Sequence, residues 1–176
     1  AGDLFADWTS EFGSGGALQA GQEVTVSKIA YSGQRAALLD NYNTGQLIFQ
    51  NDVTGLVSSN IYRVRVRMKA VPATHANGDP ADPTPDDIPT SFPDPGHLPM
   101  VIIKQIGQSD YEVPFNTSML SGWHTVDFNH TSFGGGWTVK IKIWRPSTMG
   151  AYYRVLIDSV KVNLYAIGGG GGGGGG

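Results

Sequence analysis

The sequence predicts an all-β fold, a two-sheet antiparallel sandwich, on three observations. Several short stretches alternate apolar and polar residues with period two, which turns one side of a strand to a core and the other to solvent. These stretches are separated by Gly, Asn and Ser turns, and none shows the spacing of a long amphipathic helix. The composition, 40% hydrophobic and only 15% charged, is rich in Val, Ile, Thr, Ser, Gly and Tyr, the residues of strands and turns.

Along the chain, the first expected strands are Glu23–Ile29, Arg35–Leu39 and Gln46–Gln50. The clearest follows: in Tyr62-Arg63-Val64-Arg65-Val66-Arg67-Met68-Lys69, the residues Tyr62, Val64, Val66 and Met68 face the core. Arg63, Arg65, Arg67 and Lys69 then form a basic row on the other side. Met100–Ile106, Glu112–Asn116 and Thr125–Asn129 come next. Thr138–Trp144 repeats the alternation, with Val139, Ile141 and Ile143 inward and Lys140, Lys142 and Trp144 outward, so the two lysines are expected to extend the basic row. From Arg154 to Tyr165 the inward set passes from Val155 and Ile157 to Val160, Val162 and Leu164, a change of phase that predicts a bulge at Asp158-Ser159. Trp123 and Trp137 each follow a glycine at a strand start and are expected to plug the ends of the core.

One segment breaks this rhythm. Pro72–Pro99 holds eight of the ten prolines, with Asp79, Asp82, Asp86, Asp87 and Asp94 among them. Proline removes ladder donors and the acids resist burial, so the segment is expected to be a long acidic surface insertion. The domain expected is a single sandwich over residues 1–167. The glycines from Gly168 to Gly176 bury nothing and cost backbone entropy. They are expected to be a tether, or a run in which glycine stands for side chains not assigned, held by a neighbouring copy if ordered.

Composition also bounds function. A net charge of −3 argues against general nucleic-acid binding, which needs a basic excess. There are no cysteines, which excludes disulfides, thiol catalysis and cysteine-ligated zinc. No apolar run approaches the roughly 20 residues of a membrane span. A start at Ala1-Gly2-Asp3 without Met fits removal of a signal peptide, so an extracellular or cell-surface location is expected. His75, His97, His124 and His130 lack metal-ligand spacing, and no nucleophile elbow, phosphate loop or HExxH helix is present. The chain therefore reads as a non-enzyme that requires no cofactor. Binding by aromatics is the better expectation: Trp144 faces away from the core, and Tyr42, Tyr111, Tyr152 and Tyr153 lie near turns. Asn116-Thr117-Ser118 and Asn129-His130-Thr131 are glycosylation sequons compatible with secretion.

The blocks "LFADW", "AYSGQRAALL", "NIYRVRVRMKA", "GWHTVDFNHTSF" and "YYRVLIDSVKVNLY" occur in an order that resembles jelly-roll carbohydrate-binding modules of the family 4 and 9 type. The resemblance covers residues 5–69 and 100–165, and its distinctive parts are Ser32-Gly33 and Ile157-Asp158-Ser159-Val160. It departs at Ala6, where that family has an acidic residue, and at the Pro/Asp-rich insertion. It implies a jelly roll and a structural calcium held by Asp158, with Asp7 or Asp3 in the early acidic role. The other reading of Asp158 is that it caps the bulge or pairs with Arg154.

Two function classes follow. The main expectation is a non-catalytic structural subunit of an extracellular filament or surface assembly, binding other copies of itself by charge complementarity or strand donation. It rests on a basic row and an acidic insertion expected on different surfaces, on the lack of a catalytic domain and linker that a binding module normally travels with, and on a glycine-rich end that no folding argument explains. The alternative is a carbohydrate-binding module that docks polysaccharide on exposed aromatics.

Overall fold

A computed structural model describes residues 7–13, 15–18, 22–27, 30–32, 35–41, 45–72, 98–115, 122–145 and 153–168. Among the described residues the chain forms ten strands: β1 (Thr9–Phe12), β2 (Gln22–Ser27), β3 (Ala36–Asn41), β4 (Gly45–Leu56), β5 (Ile61–Pro72), β6 (Met100–Lys104), β7 (Tyr111–Pro114), β8 (His124–Thr131), β9 (Gly135–Arg145) and β10 (Tyr153–Ala166). They make two antiparallel five-stranded sheets. The first has the order β1-β4-β9-β6-β7 and the second the order β2-β3-β10-β5-β8. The protein is thus the all-β sandwich that the alternation predicts.

The alternation also places the core. Tyr62, Val64, Val66, Met68 and Ala70 of β5 join Val155 and Ile157 of β10, Ala37 and Leu39 of β3 and Val126 of β8 on the inner side of the second sheet. Against them lie Leu47 and Phe49 of β4, Val139, Ile141 and Ile143 of β9 and Val101 and Ile103 of β6. Two faces of this kind cover each other and remove most of their apolar area from water.

One end of the core is closed by Trp137, only 1% exposed, whose ring meets Tyr62 edge-on at 5.6 Å and His130 at 5.3 Å. Its Nε1–H donates to Oε1 of the buried Gln105 at 3.1 Å. The same amide donates through Nε2 to the Gly134 carbonyl at 2.7 Å and accepts from Phe133 N–H at 3.3 Å. One side chain therefore satisfies an indole and a turn that sequence alone left without partners.

The structure departs from expectation in five places, the first being Leu164, expected inward but 53% exposed near the end of β10. β1 is a strand, paired through Thr9↔Gln50 to Phe12↔Leu47, although its four residues show no clear apolar alternation. β4 runs to Leu56 because β9 supplies ladder partners beyond Gln50; its register shifts between Val53 and Leu56, where Gly55 takes φ +75°. Trp123 does not plug the core end. It is half-buried on the outer side of the second sheet with Ala30 and the buried Ala36, Leu38 and Leu156. Lys140 and Lys142 do not extend the arginine row, because β9 belongs to the first sheet and β5 to the second. The Pro/Asp-rich insertion is outside the described residues apart from Pro72 and residues 98–99, as are the acids Asp79, Asp82, Asp86, Asp87 and Asp94.

Two predictions follow from this packing. Gln105→Leu leaves the Trp137 N–H and the Gly134 carbonyl without their buried partner. It is expected to cost about 3 kcal/mol in urea unfolding, whereas a loss below about 1 kcal/mol would mean that water replaces the amide. Burial also holds the imidazoles of His124 and His130 below their ordinary range. The folded state then binds fewer protons than the unfolded chain, so stability is full above about pH 6.5 and declines as pH falls through that value. The Tm is expected to fall between about pH 7 and pH 5, less steeply in His130→Phe, and equal slopes in both proteins would refute this origin.

Candidate functional site

The bulge in β10 positions the most elaborate polar site among the described residues. Register with β5 shifts between Ile157, opposite Met68, and Ser159, opposite Arg67. The extra residue lets Ile157 and Val160 both pack toward the core, while Asp158 and Ser159 line a hollow on the outer side of the second sheet. This phase change is the one that the sequence predicts at Asp158-Ser159.

Asp158 is 6% exposed, and its carboxylate is engaged by the loop before β3. Oδ1 accepts from Tyr31 N–H at 3.1 Å and Ser32 N–H at 3.3 Å, and Oδ2 accepts from the Ser32 hydroxyl at 3.0 Å. Three donors to one buried carboxylate fix that loop over the sheet. Ala30 packs onto the apolar patch of Ala36, Leu38 and Leu156 behind it.

The loop delivers one aromatic ring. Tyr31 is 56% exposed, with the Arg67 guanidinium 3.7 Å from its ring centroid and Trp123 edge-on at 5.9 Å. Arg67 is itself held by an Nε–H donated to Thr125 Oγ1 at 3.0 Å. Around the ring, Tyr31, Ser32, Arg65, Arg67, Thr125, Asp158, Ser159 and Lys161 enclose a hollow of about 170 Å³. It offers a ring held at two sides, three hydroxyls and three cationic donors.

The site residues expected from sequence scatter. Of the basic row, Arg65 and Arg67 line the hollow, whereas Arg63 forms a two-point ion pair with Asp127 on β8, at 2.7 and 2.6 Å. That contact raises the Arg63 pKa and lowers that of Asp127. Lys69 stands opposite Leu156 in the ladder. Trp144 sits on β9, facing out from the first sheet as alternation predicts, with the Lys142 ammonium 5.3 Å from its ring centroid. Lys140 there contacts Glu11 at 3.5 Å. Gln50, opposite Lys140, has a buried Oε1 without a hydrogen-bond partner among the described residues. That face is partly closed, since Ile48, Met100 and Ile102 on it are buried.

Tyr111 belongs to neither outer face. From the edge strand β7 it stacks on His130 at 4.5 Å and leans on Phe128 at 5.7 Å. Tyr153 begins β10 opposite Pro72, while Tyr42, Tyr152 and Asn116 lie outside the described residues. Asn129 is exposed on β8, and Asp7 is exposed in the turn before β1. No group of three or more potential metal-ligating side chains occurs among the described residues.

Four residues of the hollow, Tyr31, Thr125, Ser159 and Lys161, are not among the site residues expected from sequence. Thr125 and Lys161 were within reach, because alternation assigns both to the arginine side of their strands. Tyr31 gave no periodic signal; only its neighbour Ser32 and the distant Asp158 stood out, and nothing in the sequence joined them.

No protein-family model matches the chain, and no curated protein matches it. Solved structures match it in fold. TmCBM61, solved in complex with β-1,4-galactotriose, gives a TM-score of 0.52 at 12% identity over 92% of this chain and 90% of its own. The CBM22-1 xylan-binding domain of Paenibacillus barcinonensis Xyn10C gives 0.50 at 14% identity over 92% and 88%. The enzymatically active domain of tailspike protein 4 of Bacteriophage CBA120 gives 0.56 at 8% identity, with 92% of this chain covering 20% of that one. The fold is therefore similar to jelly-roll carbohydrate-binding modules. This corrects the expectation of a self-associating filament subunit: the two reported matches that cover most of both chains are carbohydrate-binding modules, and neither is a filament subunit.

Proposed function

We propose that this chain is a non-catalytic carbohydrate-binding module that docks a saccharide on the ring of Tyr31. The observation that carries the reading is an exposed tyrosine ring fixed in place by a buried carboxylate beside a polar hollow. Sugar rings present C–H faces that lie flat on aromatic rings, while their hydroxyls need donors and acceptors at the rim. Arg67 covers one side of Tyr31 and Trp123 meets it edge-on, so the ring is held before any ligand arrives. Such preorganisation lowers the ordering cost of binding.

The fold likeness to TmCBM61 and the xylan-binding CBM22-1 supports the class of ligand, a polysaccharide or oligosaccharide, and no particular sugar. An extracellular location belongs to the same reading, since a secreted module meets polymeric glycan outside the cell. Asp158 acts here as the anchor of the binding loop. The calcium role implied by the family resemblance is a separate proposal, open to a direct metal titration followed by Tm.

Affinity electrophoresis in gels containing xylan, galactan, β-glucan or an acidic polysaccharide tests the proposal. At least one glycan is expected to retard the protein. Tyr31→Ala is expected to weaken that retardation by roughly fivefold or more, the loss of about 1 kcal/mol of ring contact. Trp144→Ala, on the opposite outer face, is expected to leave it unchanged. Retardation lost in Trp144→Ala but kept in Tyr31→Ala would place the site on the first sheet instead.

A further inference from the structure

We propose that the saccharide taken by this hollow is acidic, a glycan carrying carboxylate or sulfate groups. The inference rests on the carbohydrate-binding reading and names its ligand class. Its basis is an imbalance of charge in the hollow's own lining. Arg65, Arg67 and Lys161 line it together with one acid, Asp158.

Three cations against one acid leave the lining positive, and among the described residues the nearby acids hold their hydrogen bonds elsewhere, although the charge of Asp127 is felt by Arg65. Asp158 spends both carboxylate oxygens on Tyr31 and Ser32. Asp127 stands directly opposite Arg65 in the ladder but is held from both oxygens by Arg63. Among the described residues no carboxylate forms an ion pair with Arg65, Arg67 or Lys161.

The ladder makes the imbalance more telling. Lys161 is the direct cross-strand partner of Arg65, and Ser159 is the partner of Arg67. Like charges directly opposite one another destabilise a sheet, so a plain structural face would pair Arg65 with an acid or a neutral residue on β10. Here two cations face each other beside an exposed ring. An anion between them removes that repulsion and receives charge-assisted hydrogen bonds, while Ser32 Oγ can still accept, and the Thr125 and Ser159 hydroxyls can still donate, to sugar hydroxyls. Tyr31 distinguishes the ligand from a bare anion, since phosphate or sulfate alone gains nothing from a ring face.

Titration calorimetry at fixed salt tests this with polygalacturonate and alginate as uronate glycans, chondroitin sulfate as a sulfated one, xylan and galactan as neutral ones, and inorganic polyphosphate as a polyanion with no face to lay on a ring. At least one acidic glycan is expected to bind about tenfold or more tightly than the neutral ones. Arg65→Gln and Lys161→Gln are each expected to weaken it by about five- to tenfold and to flatten its salt dependence. Both side chains are exposed, so the variants should fold, with Tm as the check. Uronate or sulfate preference among the acidic glycans identifies which anion the hollow takes. Neutral glycans bound as tightly as acidic ones, with both charge variants unchanged, would overturn the acidic assignment and leave the glycan reading standing. Polyphosphate bound as tightly as the best glycan would overturn the assignment in favour of simple charge attraction. Failure of every glycan to bind would remove both.

Discussion

A single inserted residue in β10 governs how the outer surface of the second sheet is built. Without the bulge, strict alternation would place one residue, not two, on the solvent side between Ile157 and the next inward position. With it, Asp158 and Ser159 are both available to the hollow while Val155, Ile157, Val160 and Val162 keep contact with the core. The buried carboxylate would be costly if left alone. Donors from Tyr31 and Ser32 compensate it, and in doing so they fasten a loop, orient a tyrosine and create the wall against which Arg67 and Trp123 rest. Much of the geometry of this face therefore traces to one register shift.

The legible and illegible parts of the structure divide by range. Alternation is a local property, so the faces of β5 and β9, the inward rows and the phase change in β10 could all be read from the chain. Strand pairing is not local. Nothing in the string says that β9 joins β4 and β6 while β5 joins β10 and β8, and so two basic rows of similar pattern looked like one. Trp123 and Trp137 show the same limit: each follows a glycine at a strand start, yet one has a buried Gln105 to satisfy its indole and the other meets an apolar patch outside the sheet. Tyr31 was hidden for a further reason, because a loop side chain acquires its place through a partner 127 positions away.

The filament expectation is overturned by the fold matches, and topology removes one of its supports, the extension of the arginine row by Lys140 and Lys142. Once the rows separate, each face has its own electrostatic neighbourhood: Lys140 lies against Glu11, Arg63 against Asp127, and Arg65 and Lys161 against each other.

β5 carries two messages in alternating letters. Tyr62, Val64, Val66 and Met68 answer only to the core, whereas Arg63, Arg65, Arg67 and Lys69 answer only to the surface. Substitution in the second set changes the ladder's outer chemistry without altering the volume that the first set fills. The strand is thus divisible into an inner set that fills volume and an outer set that sets surface charge. The charge of that outer surface can therefore change through the odd-numbered residues of a single strand, with the interior left as it was.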